Sequence, residues 1–361
     1  MRGEFDVFNL DDTAQMHNLD KENMLALLYN FPQQCRDAYK IGEDFRINSS
    51  HFRGIKNIVF AGLGGSAIGA DLIRSYIRGE IGVPVEVVRT YTIPNYIDNG
   101  TLAFICSYSG NTEETLSAYG LLKKKTRKMI ALASGGELIR LAKKDGIPHI
   151  VIPAGMPPRC ALGFASIPHL VALSKLGLIK DKKSDIMAAA DFLERLRGEL
   201  SCEVKTRHNL AKALANRLRG KFVVIYGASE HTDAAALRWR GQFAENSKVL
   251  ASSHIFPEMN HNEIVGWQNP QSALKNFVVI ILRDRGDHPR IQRRMDITKG
   301  ILKKVAADVI EVESRGGNLL ARIFSLIYIG DYASVYLAFL NETDPTPVDR
   351  VTYLKKELAK I

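Results

Sequence analysis

Residues 102–115 read LAFICSYSGNTEET, an apolar run typical of a buried strand followed by a polar loop. Hydroxyls at Ser107, Ser109 and Thr112 flank Gly110, which lets backbone N–H groups approach a ligand. The acidic turn after Thr112 predicts a helix whose positive end points at the same place. The stretch therefore predicts a phosphate-binding loop between a strand and a helix. The alternative is a hydroxyl-rich turn that only caps the helix.

A second loop of this kind lies upstream. Residues 57–69 read NIVFAGLGGSAIG, a strand, a glycine turn and the start of a helix. The spacing of Gly62, Gly64 and Ala67 also fits a dinucleotide fingerprint, with Glu86 in the next predicted strand, so a nicotinamide dehydrogenase is a real alternative. A dinucleotide site needs no second hydroxyl-rich loop, whereas a monophosphate held between two adjacent loops needs both. We therefore favour a monophosphate ligand.

Strand and helix patterns alternate from residue 57 to residue 152. This alternation predicts an α/β fold with a doubly wound, mostly parallel sheet that binds its ligand at the carboxyl ends of the strands. Residues 221–227 repeat the strand-then-glycine pattern, and 277–282 and 309–312 predict further strands, so we expect a second, duplicated domain. Its turn at 227–231 lacks the hydroxyl cluster, and we expect one phosphate site per chain.

Three helices are predicted outside these alternating patterns. Residues 20–44 form an amphipathic leader, residues 186–200 bridge the two halves after an exposed charged connection at 180–185, and residues 344–358 form a proline-started helix with one apolar face.

Length and charge limit the classes of function. The chain has 361 residues, of which 46% are hydrophobic, and this is enough for two domains with separate cores. The formal net charge is +10, but the basic residues are dispersed and do not interleave with aromatic residues. We therefore expect no nucleic-acid partner and attribute the charge to an anionic metabolite and a solvated surface.

The sequence gives no indication of a membrane or metal protein. Residues 1–6 lack the pattern of a signal peptide, and the apolar stretch 319–340 is interrupted by Arg322 and Asp331, so we expect a cytoplasmic protein without a membrane span. The cysteines show no spacing typical of zinc ligands and are expected to be buried. They are Cys35, Cys106, Cys160 and Cys202.

Candidate acid and base residues lie in the second half. A predicted helix carries Arg238, Gln242 and Glu245 at a spacing that puts the three on one face. Residues 256–267 read FPEMNHNEIVGW and hold His261 between two asparagines. Amides are poor ligands for transition metals, so an acid/base histidine is favoured over a metal site. His231 and His254 are not candidates.

The strand, the loop at residues 107–112 and the following helix resemble the sugar isomerase (SIS) domain, and the second-half motifs resemble the compact bifunctional phosphoglucose/phosphomannose isomerases. The resemblance covers most of the chain and is weakest before residue 50. It implies two SIS-type domains and interconversion of fructose 6-phosphate with glucose 6-phosphate and mannose 6-phosphate through a cis-enediolate. It implies sugar 6-phosphates as ligands and neither metal nor cofactor.

The same resemblance implies roles for individual residues. Glu245 is the catalytic base, Arg159 in the proline-stiffened loop 156–163 stabilises the enediolate, and His261 opens the sugar ring in the neighbouring subunit of a homodimer. Lys355 assists His261, with Lys356 as the alternative, and Thr346 leaves room for both epimers. The expected substrate-binding residues of the two loops are Gly64, Gly65, Ser66, Ser107, Ser109 and Thr112.

Four segments are expected on this basis. They are a helical leader at 1–50, a phosphate-binding SIS domain at 51–180, a second SIS domain at 205–342 and a C-terminal helix at 343–361 that contributes to the active site. The alternative function is a non-catalytic SIS protein that senses a sugar phosphate. Such a protein needs the hydroxyl loop but not the glutamate, histidine and lysine.

Overall fold

Two parallel β-sheets organise the computed structural model, which describes residues 8–360. The first sheet has the order β2-β1-β3-β4-β5 and the second has the order β7-β6-β8-β9. Every strand pair is parallel, so the predicted α/β fold with two parallel sheets is confirmed. The strands are β1 Asn57–Ala61, β2 Val85–Val88, β3 Thr101–Cys106, β4 Met129–Ala133, β5 His149–Val151, β6 Phe222–Ala228, β7 Ala251–Phe256, β8 Phe277–Arg283 and β9 Asp308–Glu313.

Helices cover both faces of each sheet. In β1, Ile58 and Phe60 pack into one hydrophobic cluster while Val59 and Ala61 pack into another, as alternation along a strand requires. The helices are α1 Thr13–Leu19, α2 Met24–Tyr29, α3 Phe31–Asp44, α4 Gly64–Ile77, α5 Glu113–Leu122, α6 Gly136–Lys144, α7 Leu162–Lys175, α8 Lys183–Leu200, α9 Leu210–Leu218, α10 Asp233–Glu245, α11 Glu263–Gly266, α12 Gln271–Leu274, α13 Pro289–Leu302, α14 Leu319–Leu340 and α15 Asp349–Leu358.

The long helix α14 lies in the core between the two halves. It packs against α8, α9 and α10, and one hydrophobic cluster continues from the first sheet through α14 to the second. Of the residues that the structure describes, only this helix has the length and hydropathy of a membrane span, and its most apolar window is wholly buried inside the protein. Burial by neighbouring helices therefore accounts for its apolar composition.

Four sequence-based predictions differ from the structure. The C-terminal helix predicted for residues 344–358 begins only at Asp349, and Val351, Leu354 and Leu358 of its expected apolar face are exposed. The predicted single leader helix is wrong, because Asn30 separates α2, which ends at Tyr29, from α3, which begins at Phe31. Pro32, which has no N–H, occupies the first turn of α3. The charged connection is shorter than expected, because α8 begins at Lys183. Strand β7 was not predicted; its polar residues lie at the edge of the second sheet, where they are partly exposed.

Residues 1–6, on which the signal-peptide argument depends, lie outside the described range. The boundaries of the four predicted segments stay predictions. All four cysteines are unpaired and buried, as expected from their spacing.

Candidate active site

The two predicted phosphate loops meet at the carboxyl ends of β1 and β3. The Ser66 hydroxyl in the first turn of α4 accepts a hydrogen bond from the Tyr108 N–H at 3.0 Å, which joins one loop to the other. The Ser107 hydroxyl accepts from the Gly110 N–H at 3.1 Å and lies 2.9 Å from the Thr112 hydroxyl. Adjacent parallel strands thus bring three of the predicted hydroxyls into one network.

Ser109 occupies a different environment in the same loop. Its hydroxyl accepts a hydrogen bond from the Asn111 N–H at 3.2 Å, and its side chain is exposed while Ser66 and Ser107 are buried. Gly110 has φ +74°, and a Cβ there would lie 1.9 Å from the Gly135 carbonyl oxygen. Only glycine fits this close approach to the neighbouring loop.

Two helix N-termini point toward this network without side-chain caps. Helix α4 begins at Gly64 and α5 begins after Thr112, and neither helix receives a capping hydrogen bond from its N-cap side chain. Thr112 contacts Ser107 instead, so the alternative of a simple capping turn does not describe its side chain. Backbone N–H groups at the start of both helices are therefore available to an anion.

Arg159 lies next to Glu245, and this contact joins the first half of the chain to the second. The Arg159 guanidinium is 3.4 Å from the Glu245 carboxylate. The arginine side chain is 4% exposed and the glutamate side chain 41%, so the carboxylate faces open space while the guanidinium is enclosed. Gly65 brings the Arg159 loop close, because a Cβ on Gly65 would lie 2.6 Å from the Pro158 carbonyl oxygen.

Backbone and amide oxygens hold the buried guanidinium in place. Arg159 donates to the Asn246 side-chain oxygen at 2.6 Å and to the carbonyl oxygens of Pro345 and Thr346 at 2.9 and 2.8 Å. These neutral acceptors satisfy its N–H groups without cancelling its charge. The positive charge therefore remains available to an anionic intermediate.

The other two residues of the predicted helix face are buried, although both line the same cavity as Glu245. Arg238 forms a two-point ion pair with Asp331 of α14 at 3.0 and 2.7 Å, and Gln242 donates to the same carboxylate at 2.9 Å. Burial raises the pKa of Asp331, and the hydrogen bonds from Arg238 and Gln242 oppose that rise. Arg238 also donates to the Arg159 carbonyl oxygen at 2.8 Å, so the pair supports the Arg159 loop.

A cavity of about 270 Å³ lies beside these groups. Its lining includes Gly64, Gly65, Arg159 and Glu245, four of the residues predicted for the site. Thr346 borders Arg159 through its carbonyl oxygen, and its side-chain hydroxyl is buried without a hydrogen-bond partner among the described residues. The cavity thus combines one exposed carboxylate, a glycine-lined approach and four arginines, of which Arg159 lies next to the carboxylate.

His261 and Lys355 are not brought to this cavity within one chain. Both side chains are exposed, as is Lys356, and neither His261 nor Lys355 lines the cavity. In the described part of the chain, His261 makes no side-chain hydrogen bond or ion pair, although Asn262 beside it donates to Glu258 at 2.9 Å. Their predicted participation stays a prediction.

Glu86, from the dinucleotide alternative, and the two histidines that were not candidates do not line this cavity. Glu86, which a dinucleotide site would use, accepts a hydrogen bond from Tyr96 at 2.6 Å. His231 lies with Glu230 and Asp287 in the second half, where the hydrogen bond to Asp287 raises the pKa of His231 despite its burial. His254 lies on β7.

Two contributors were missed by sequence reasoning. Asn246 orients Arg159, and Lys248 donates to four backbone carbonyl oxygens around the end of α10. Their partners in the first half and in the C-terminal segment are distant in sequence. The local sequence shows only that Asn246 and Lys248 follow Glu245, and it contains no signal for their contacts.

Comparison with known proteins places these features in context. The SIS domain family matches residues 51–154, and the bacterial phospho-glucose isomerase C-terminal SIS domain family matches residues 207–358. A bifunctional phosphoglucose/phosphomannose isomerase from Caldicellulosiruptor bescii is 46% identical over 94% of this chain and 99% of its own length. Its counterpart from Aquifex aeolicus is 36% identical over 90% of this chain and 99% of its own length.

Solved structures share the fold at low sequence identity. A hypothetical protein from Thermus thermophilus superposes with a TM-score of 0.74 and 16% identity, covering 96% of this chain and 94% of that one. The C-terminal domain of glucosamine-fructose-6-phosphate aminotransferase from Francisella tularensis superposes with a TM-score of 0.67 and 16% identity, covering 90% and 98%. These similarities concern the fold alone.

Proposed function

This chain belongs to the family of bifunctional phosphoglucose/phosphomannose isomerases, and on that premise we propose that it interconverts fructose 6-phosphate with both glucose 6-phosphate and mannose 6-phosphate. It is a sugar-phosphate aldose-ketose isomerase. The observation that carries the assignment of its site is the contact between Arg159 and Glu245 at 3.4 Å beside a glycine-lined cavity. An enclosed cation next to an exposed carboxylate suits proton transfer through an anionic intermediate.

Substrate binding is assigned to the two loops of the first half. The hydroxyls of Ser66, Ser107, Ser109 and Thr112, with the uncapped N-termini of α4 and α5, hold the phosphate through charge-assisted hydrogen bonds. The backbone at Gly64 and Gly65 approaches the sugar. The fixed phosphate presents C1 and C2 to the carboxylate, which reduces the entropic cost of the reaction.

The chemistry then uses one base. His261, assisted by Lys355, moves the proton that opens the ring. Glu245 takes the C2 proton of the aldose and returns it to C1, while Arg159 stabilises the negative charge of the cis-enediolate. In the reverse direction Glu245 removes a C1 proton and returns it to C2.

Both epimers follow from the geometry of the intermediate. The enediolate is planar at C2, so a proton returned to one face gives glucose 6-phosphate and a proton returned to the other gives mannose 6-phosphate. Thr346, whose buried hydroxyl has no hydrogen-bond partner within residues 8–360, is the residue that we assign to this choice. Its small side chain leaves room for the sugar to turn relative to Glu245.

We assign the active form to a homodimer that acts in the cytoplasm. His261 is exposed in a single chain and does not line the cavity, which fits a histidine supplied to the neighbouring subunit. Four buried, unpaired cysteines fit a reducing compartment.

Mixing two inactive variants tests the shared site. In an equimolar mixture of Glu245→Gln and His261→Ala chains, half of the dimers are mixed, and one of the two sites in each mixed dimer receives both native residues. Activity should therefore recover to about a quarter of that of the unaltered protein. A mixture that stays inactive after subunit exchange would contradict a histidine borrowed from the partner.

The function itself is tested with fructose 6-phosphate in the presence of a chelator. We expect NMR to show glucose 6-phosphate and mannose 6-phosphate forming together. Formation of glucose 6-phosphate alone would contradict the assignment of Thr346. Binding of fructose 6-phosphate without any product would favour a sugar-phosphate sensor and overturn the proposed activity.

A further inference from the structure

The side chain of Lys248 joins the end of α10 to the C-terminal segment. Its ammonium nitrogen lies 2.7 Å from the Glu245 carbonyl oxygen and 3.3 Å from that of Asn246. It also lies 3.1 Å from the carbonyl oxygens of both Asp344 and Pro345. One side chain thus connects the helix that carries the base to residues 344–346, which precede α15.

The chemistry of a helix end explains this arrangement. The last carbonyls of a helix lack intrahelical partners and carry the negative end of its dipole, so a cation there satisfies and stabilises them. Lys248 reaches them because its own backbone has φ +56° and folds the chain back past Glu245. Its three N–H groups serve four acceptors, and the longest contact, to Asn246, shares a donor.

Arg159 and Lys248 share one carbonyl group. The Pro345 oxygen accepts from Arg159 at 2.9 Å and from Lys248 at 3.1 Å. The next carbonyl, that of Thr346, accepts from Arg159 at 2.8 Å. A shift of the C-terminal segment would therefore move two of the acceptors of Arg159 and displace Thr346 as well.

We propose that Lys248 is a positioning residue of the isomerase, which clamps residues 344–346 against the end of α10 and thereby fixes Arg159 and Thr346 relative to Glu245. This inference rests on the proposed function. Lys248 acts through these residues and has no assigned contact with the substrate.

The clamp is sensitive to pH because its donor loses a proton and its charge. Arg159, Glu245 of α10, Asp344 of the C-terminal segment and Asp349 of α15 face the ammonium. Burial and the charge of Arg159 lower the pKa of Lys248 to about 8, against the attraction of the carboxylates. Above that pH the neutral amine has two N–H donors instead of three for the four carbonyls and no charge beside Glu245, and turnover should fall.

Bound substrate shifts this transition. The phosphate and the developing enediolate bring negative charge toward Arg159, which favours the charged form of Lys248. The alkaline limb of kcat/KM, which reports the free enzyme, should therefore lie near pH 8, and that of kcat should lie at higher pH.

Stability moves in the opposite direction in the same pH range. Because the pKa of Lys248 in the folded protein is lower than in the unfolded chain, the unfolded state binds more protons between the two values. The contribution of this group to the free energy of unfolding rises with pH there. A loss of turnover caused by Lys248 is thus distinct from unfolding.

The test compares Lys248→Met and Lys248→Arg with Lys303→Met, an exposed lysine after α13. We expect Lys248→Met to lower kcat at pH 7 between about 10- and 100-fold with a smaller change in KM, since the phosphate loops are intact. Lys248→Arg should keep most of the turnover and move the alkaline limb of kcat/KM well above pH 8, because arginine does not titrate there. Lys303→Met should change neither.

Amide hydrogen exchange gives a reading that does not depend on activity. Lys248→Met should speed exchange in residues 344–358, whereas Lys303→Met should not. The clamp is overturned if Lys248→Arg keeps the original alkaline midpoint, or if Lys248→Met leaves both kcat and exchange unchanged. If Lys248→Met does not fold, the pH dependence of kcat/KM for Lys248→Arg is by itself the test of the clamp. Lack of turnover by the unaltered protein would instead overturn the proposed function. In that case the exchange rates of residues 344–358 would still show whether Lys248 holds the C-terminal segment.

Discussion

The two sheets have the same layout at the carboxyl ends of their strands, here called the first and second edge, but the side chains there carry opposite chemistry. The first edge presents the hydroxyl network of Ser66, Ser107 and Thr112 and two uncapped helix N-termini. At the second edge Asp284 follows β8, pairs with Arg322 at 2.8 Å and accepts a hydrogen bond from the Ser314 hydroxyl at 2.6 Å. One edge is open to an anion, and the other already contains one.

The charge state of the second edge disfavours a second phosphate. Burial alone would raise the pKa of Asp284, but hydrogen bonds from Arg322 and Ser314 outweigh it and hold the pKa below its ordinary value. Asp284 is therefore ionised and would repel a phosphate. The second half contributes instead through α10, whose end carries Glu245 and Asn246. This division supports the prediction of one phosphate site per chain.

The largest expected effect concerns the base. Glu245→Gln keeps the size of the side chain but cannot accept the substrate proton, so we expect kcat to fall by roughly 10²- to 10⁴-fold. KM should change little, because the proposed phosphate site lies in the other half. Glu230→Gln, at the second edge, is the matched control and should leave kcat unchanged. Steady-state kinetics that gave the two variants equal turnover would rule out Glu245 as the base.

The next effect concerns the contact between the halves. Asp331→Asn leaves the buried Arg238 without its countercharge, and we expect a loss of about 3–5 kcal/mol in the free energy of unfolding. Asp308→Asn removes the partner of Arg217 in an exposed ion pair and should cost about 1 kcal/mol or less. Urea denaturation of both variants measures the difference. Equal losses in the free energy of unfolding would mean that burial does not make the Arg238–Asp331 pair more important for stability than an exposed pair.

A smaller effect distinguishes the two strand-to-helix turns. Ser107→Ala removes a proposed donor to the phosphate. A hydrogen bond to a charged group is worth about 1.5–3 kcal/mol, so KM should rise roughly 10- to 100-fold. Ser229→Ala removes a hydroxyl from the corresponding turn of the second half and should not change KM. A rise in KM for both serines would place a phosphate contact at the second edge.

The sequence was most informative where a pattern is local. Buried strands such as β3 and β8 are continuous apolar runs, and the loop at residues 107–112 carries its chemistry in consecutive residues. Strand β7 was missed because Ser252, Ser253 and His254 interrupt its apolar pattern, as an exposed edge permits. The break at Asn30 was missed because apolar spacing was given more weight than the proline that follows.

Sequence reasoning selected the two charged side chains that meet in the candidate site, but not the residues that hold them in place. Arg159 and Glu245 were both chosen from sequence, and the structure brings them together. The roles of Asn246 and Lys248 depend on partners about 90 residues away, which only the folded chain identifies. His261 differs from both groups, because its proposed partner lies on a second copy of the chain.

The smallest expected effect concerns the charge of His231 at the second edge. Its hydrogen bond to Asp287 raises the pKa of His231 above the ordinary value of 6.5, against the effect of burial. The folded state therefore binds the proton more tightly than the unfolded chain. The resulting stabilisation is present below about pH 6.5 and is lost as the pH rises through the higher pKa of the folded state.

His231→Gln should consequently lower the free energy of unfolding by about 1 kcal/mol or less at pH 5.5 and by less at pH 8.5, without changing turnover. His254→Gln, on the neighbouring strand β7, is the control for loss of an imidazole. Urea denaturation at the two pH values measures the difference. If His231→Gln cost the same at both, the imidazole would stabilise the edge by packing alone. Arg322 would then be the cation that balances the carboxylates of Asp284 and Asp287, and protonated His231 would add nothing. The negative charge of Asp284 alone would distinguish the second edge from the first.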